Sequence, residues 1–149
     1  LSGLTAVNDF SSPDGLAFDQ RGLLWIQTDD GAYTDVTNCM LLAAVPGKVG
    51  DGTTVTAAGG TQTRRGALAT GDNLRRFLVG PVDCEITGLA YTPDYQTLFI
   101  NVQHPGEGGT LAAPTSAWPA SQAGTATGRR PRSATVVITR KAGGPIGTA

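Results

Sequence analysis

The chain has 149 residues, which suits one domain, and its 11 basic side chains nearly cancel its 12 acidic ones. That balance offers no field to gather a polyanion, so no nucleic-acid partner is expected. The longest apolar run, Met40 to Val45, is far short of the roughly 20 residues that span a bilayer, so no membrane partner is expected either.

Twenty-one glycines, nine prolines and only 15% charged residues fit all-β structure. Leu16-Ala17-Phe18 predicts a short strand, turned by Asp19-Gln20-Arg21-Gly22. Leu23 to Thr28 predicts the next, apolar enough to be buried on both faces, with Asp29-Asp30-Gly31 as its exit. Asn38 to Val45 is a third strand, stopped by Pro46-Gly47. From about Gly47 to Asp72 the chain is Gly, Thr and Ala with little periodicity, which predicts a long loop with a weak hairpin at Thr53-Thr54-Val55-Thr56. Asn73 to Val79 is a fourth strand, closed by Gly80-Pro81. A second unit opens at Cys84-Glu85-Ile86-Thr87-Gly88, runs through strand Leu89-Ala90-Tyr91 and the turn Thr92 to Gln96, and continues as strand Thr97 to Gln103. Coil from His104 to Ser133, a β-branched strand Ala134 to Arg140 and a Gly/Pro tail complete the chain.

The two units rhyme. Pro13-Asp14-Gly15-Leu16-Ala17-Phe18 is answered by Ile86-Thr87-Gly88-Leu89-Ala90-Tyr91, and Leu24 to Gln27 by Leu98 to Asn101. Gly15 meets Gly88 at an offset of 73 and Leu24 meets Leu98 at 74, one residue being gained in the turn. Such a repeated strand–turn–strand unit predicts an all-β, partial β-propeller of antiparallel sheets. A complete six-bladed propeller at roughly 40–45 residues per blade would need far more chain, so about two blades are present. Blade one is expected over about 11–82 and an incomplete blade two, short of its last strand, over about 84–140. Opening on Leu1 rather than Met reads as a segment of a larger protein.

Asp14 and Glu85 precede the innermost strand of each unit and Asp29 ends the strand after Trp25. Inner-strand starts converge at one mouth of a propeller axis, where carboxylates repel unless a cation such as calcium or magnesium is bound. The same residues are also ordinary turn and strand-exit types. His104, with Glu107 three residues on, reads as metal ligand, proton-transfer group or hydrogen-bonded strand end. Arg129, Arg130 and Arg132 read as a phosphate grip or a solvated basic loop. Trp25 and Trp118 read as packing residues. Cys39 and Cys84, the only cysteines, pair in an oxidising compartment or stand as small buried hydrophobes, and their spacing fits no zinc pattern.

Several blocks in series carry a family resemblance: Ser12 to Asp19, Trp25 to Asp29, Asn38 to Leu41, Arg76 to Pro81, Cys84 to Gly88, Asn101 to Glu107 and Pro131 to Val137. Together they resemble the C-terminal part of the PhoX family of secreted bacterial alkaline phosphatases, over most of residues 11–140. The resemblance implies a six-bladed propeller with a calcium- and iron-containing centre that hydrolyses phosphate monoesters, in the periplasm or outside the cell. Asp14 and Glu85, with Asp29, are then the expected metal ligands, and Arg132 and His104 the expected substrate contacts. No catalytic residue is assigned. The remaining ligands are expected in absent blades, leaving the segment inactive in isolation. A non-catalytic propeller-derived binding module is the alternative. So is a calcium-dependent lactonase-like propeller, whose calcium-site strand Pro13-Asp14-Gly15-Leu16-Ala17 also resembles. Unpaired blade edges predict self-association.

Overall fold

In a computed structural model of the protein, the described residues are 5–6, 8–29, 37–46, 54–64, 73–120 and 129–147. Strand β1 (Pro13–Phe18) turns back into β2 (Leu24–Thr28), β2 pairs with β3 (Met40–Ala44), and β3 pairs with β6 (Leu74–Val79), all antiparallel. The β1–β2 turn is tied by Asp19, whose carboxylate accepts from the Arg21 and Leu23 backbone N–H groups and pairs with the Arg21 guanidinium at 2.6 Å. A second sheet holds β7 (Glu85–Tyr91), β8 (Thr97–Gln103) and β9 (Ala134–Thr139) in that order. The fold is thus all-β, with antiparallel sheets of four and three strands like neighbouring propeller blades.

Alternation along the strands explains how the sheets pack. Trp25, Leu41, Ile86, Leu98, Ile100 and Val102 are buried in one core cluster drawn from both sheets. The cross-strand partners Leu24, Ile26, Leu42 and Ala44 point to the opposite face of the first sheet and join a second cluster with Met40, Leu74 and Phe10. Both tryptophans take the packing role read from the sequence, Trp25 meeting Phe77 edge-to-face at 5.0 Å.

Two local expectations change. Strands β1 and β7 start earlier than Leu16 and Leu89, because a bulge at each glycine lets pairing continue: the register shifts between Pro13 and Gly15 and between Thr87 and Leu89. The hairpin inside the 47–72 stretch is real and better formed than expected: β4 (Thr54–Thr56) pairs with β5 (Gln62–Arg64). Residues 47–53 and 65–72 of that stretch, Asp30 and Gly31 of the strand exit, and 121–128 of the second coil lie outside the described residues. The Gly/Pro tail is docked, since Ile146 is buried in the core, its N–H donates to Tyr95 O at 2.8 Å, and its carbonyl accepts from Arg21. Cys39 and Cys84 form no disulfide and are buried in that core. Burial first, then the neighbouring Cys39, pushes the Cys84 thiol up to about 12, which keeps it protonated and unreactive.

Candidate metal centre

Antiparallel pairing places the first residue of β7 opposite the last of β8, and Glu85 does sit across from Gln103. His104 follows Gln103 and adopts φ 36°, a left-handed conformation that turns the chain at the strand end. The turn is fastened by Gly106 N–H to Val82 O at 2.8 Å, Glu107 N–H to Asp83 O at 3.3 Å, and the His104 N–H to Ser133 Oγ at 3.1 Å. Those bonds hold the imidazole beside the start of β7. Asp29 arrives from the first sheet, directly after β2, its N–H donating to Ser12 O at 3.2 Å.

One ligand atom from each of Asp29, Glu85 and His104 falls within 4.8 Å of the others. His104 Nε2 is 3.5 Å from Glu85 Oε2, and Nδ1 is 3.2 Å from Glu107 Oε2. The buried Nδ1 makes no hydrogen bond, so its approach to Glu107 lacks the alignment of one. Glu85 is buried while Asp29 is exposed. Burial, then the carboxylates of Asp29 and Asp14, raises the Glu85 carboxyl above its ordinary value, and His104 and a hydrogen bond from Thr87 partly offset this. Like charges held this closely are what a bound cation would relieve.

The expected site residues are therefore sorted by the fold. Asp29 and Glu85 come together. Asp14, exposed on the β1 bulge, is near enough to act on Glu85 but lies outside the three-residue group. His104, read as metal ligand, proton-transfer group or substrate contact, stands among the carboxylates, because the β7–β8 pairing puts it beside Glu85. Arg132 is exposed and lines a surface cleft of about 600 Å³ with Arg129 and Arg130. Sequence reasoning missed Thr87 and Gln27. For Thr87 the available signal was a polar strand residue beside Gly88; Gln27 stands between Ile26 and Thr28, and only strand pairing and sheet packing bring it to Gly15 and Gly88.

The family model of alkaline phosphatase PhoX matches residues 1–106. The chain belongs to the PhoX family. Agreement reaches three dimensions: the solved structure of Pseudomonas fluorescens PhoX in complex with vanadate, a transition state analogue, is similar at 37% identity with a TM-score of 0.67. The likeness covers 98% of this chain and 20% of that one, so the chain spans about a fifth of that PhoX protein's length. No curated protein matches. The resemblance drawn from the short blocks is borne out.

Proposed function

We propose that this chain forms one wall of the metal centre of a phosphatase that hydrolyses phosphate monoesters. The observation that carries the reading is the convergence of Asp29, Glu85 and His104 from two sheets onto one point. The donor set fits metal: carboxylate oxygens suit calcium or iron, and an imidazole nitrogen suits iron. The raised Glu85 carboxyl is a group that a cation would satisfy. Asp29, Glu85 and His104 would hold the ion, with Asp14 adding negative charge nearby. A bound cation would polarise phosphoryl oxygens and acidify a water molecule.

The chain's own contribution is to orient. Thr87 fixes the Glu85 carboxylate, Glu107 stands 3.2 Å from the far ring nitrogen of His104, and Arg132 offers a guanidinium to the substrate's phosphate. The vanadate complex of the Pseudomonas protein supports phosphoryl chemistry over the lactonase alternative. Three protein donors are fewer than the roughly six to eight oxygens that calcium takes, so the chain alone is expected to be inactive. Family resemblance alone supports a periplasmic or extracellular location.

The test is calcium and iron titration of the chain by calorimetry, with metal analysis after dialysis and a phosphate monoester assay alongside. Wild-type chain binds metal without turnover, and Asp29→Asn or Glu85→Gln weakens binding by about tenfold or more, as expected for loss of a charged ligand. A wild-type chain that takes up neither metal would sink the reading.

A further inference from the structure

Gln27, one residue short of the end of β2, is only 7% exposed. Its Nε2 crosses the seam between the two sheets and donates to Gly88 O at 3.2 Å. Its Oε1 lies over Gly15, the cross-strand partner of Gln27, in space that a β-carbon there would occupy. Both glycines belong to bulges, in which Asp14 and Gly88 are the residues left without a partner across the ladder.

The acidic groups of the candidate centre all stand within three residues of Gln27 or of a glycine it meets. Asp29 follows it by two on the same strand, with its N–H held by Ser12 O just before β1. Asp14 adjoins Gly15, and Thr87, next to Gly88, hydrogen-bonds the Glu85 carboxylate. An amide against a bulge glycine also recurs in the second sheet, where Asn101 lies against Gly88. Asn101 bonds within its own sheet, its Oδ1 accepting from Thr135 Oγ1 at 2.8 Å, whereas Gln27, one methylene longer, reaches across.

We propose that Gln27 is a positioning residue of the metal centre, fixing the Asp29 end of the first sheet against the Glu85 end of the second. The inference rests on the metal-centre reading of Asp29, Glu85 and His104. Asp29 and Glu85 belong to different sheets, so their separation is set by how the sheets are held together and not by either strand alone. The apolar packing at the seam is non-directional. A buried hydrogen bond onto a bulge carbonyl is directional, and ligand groups need placing to within about half an ångström. The effect runs both ways: a bridge that helps an ion to bind is itself strengthened by the bound ion.

The test is titration of the chain with calcium and with iron by calorimetry, beside melting temperatures in metal-free buffer. Gln27→Leu keeps the bulk, removes the bridge and weakens metal binding by about tenfold, the lower end for residues that orient ligands. Gly15→Ala displaces the Gln27 amide while leaving residue 27 intact; it weakens binding in the same direction and carries the test should Gln27→Leu unfold. Leu98→Ala opens a gap in the same core cluster, opposite Tyr91 at the other end of β7. It lowers the melting temperature but leaves metal affinity within about twofold of wild type, as for distant sites, and Leu98→Val replaces it should it unfold. Nuclear magnetic resonance gives the reciprocal readout: the Gln27 side-chain amide signal of the wild type follows metal saturation. Gln27→Leu and Gly15→Ala that bind as tightly as wild type, while Glu85→Gln is weakened, overturn the positioning role and leave the metal centre standing. Equal weakening in the Leu98 variant overturns it too, because any loosening of the seam would then suffice. A wild type that takes up neither metal overturns both readings.

Discussion

Gln27 reads two glycine bulges at once. Its Nε2 donates to Gly88 O in the second sheet, and its Oε1 stands where a β-carbon on Gly15 would lie, 2.5 Å away. Both bulges sit at the end of the molecule that carries Asp14, Asp29 and Glu85. Bulges redirect the residues before them, and here a buried amide holds the two redirected strands in a fixed relation.

Replacing Gly88 with Ala is expected to destabilise the chain by about 1–3 kcal/mol. Its φ of 59° disfavours a side chain, and the added carbon would meet the Asn101 amide. Gly15→Ala should cost less, about 1 kcal/mol, because the obstructing atom ends a side chain that can swing away at the expense of one hydrogen bond. Urea unfolding of the two variants checks the order. Equal losses would count against the account.

Gln27→Leu keeps the volume but leaves Gly88 O without its donor across the seam. A loss of about 1–3 kcal/mol is expected in thermal or urea unfolding. A stability equal to wild type would show that water replaces the amide.

Trp25 is fully buried between the sheets and stacked edge-on to Phe77. Trp25→Ala should remove about 3–5 kcal/mol, comparable with the whole stability of many small domains. Circular dichroism melting is the measurement, and a folded variant with a melting temperature near wild type would contradict the placement of the core.

Glu85 gives a pH dependence with a definite sign. Its carboxyl is raised above the ordinary 4.5 in the folded state, so the native chain holds a proton there that the unfolded chain has released. Between those two values the native state binds more protons, and stability must fall as pH rises. Above the folded value the loss is complete and the contribution is flat. Glu85→Gln should abolish this segment of the stability–pH curve in metal-free buffer, and calcium should oppose it in the wild type.

Much of the fold was legible because strand alternation and the 73/74 repeat are both local signals. Strand β8 runs from Thr97 to Gln103, as its apolar run indicates. The early starts of β1 and β7 were not legible, since Asp14-Gly15 and Thr87-Gly88 look like turn residues until the bulge that accommodates them is seen. The docking of Ile146 was hidden for a similar reason: one aliphatic residue in a Gly/Pro tail carries no period. At the site, Glu85 and Asp29 were readable from their positions at strand ends. The partnership of His104 with Glu85 depends on the register of β7 on β8, which only pairing specifies.

The hairpin of β4 and β5 has a practical consequence. Its tip, closed by Ala57 N–H to Thr61 O at 2.8 Å, is exposed from Thr56 to Gln62. None of those side chains belongs to either core cluster or to the carboxylate group. Exposed tips of this kind tolerate inserted sequence. An epitope or a genetically encoded fluorophore spliced there would report on the molecule in living cells while leaving both sheets and their seam as they are.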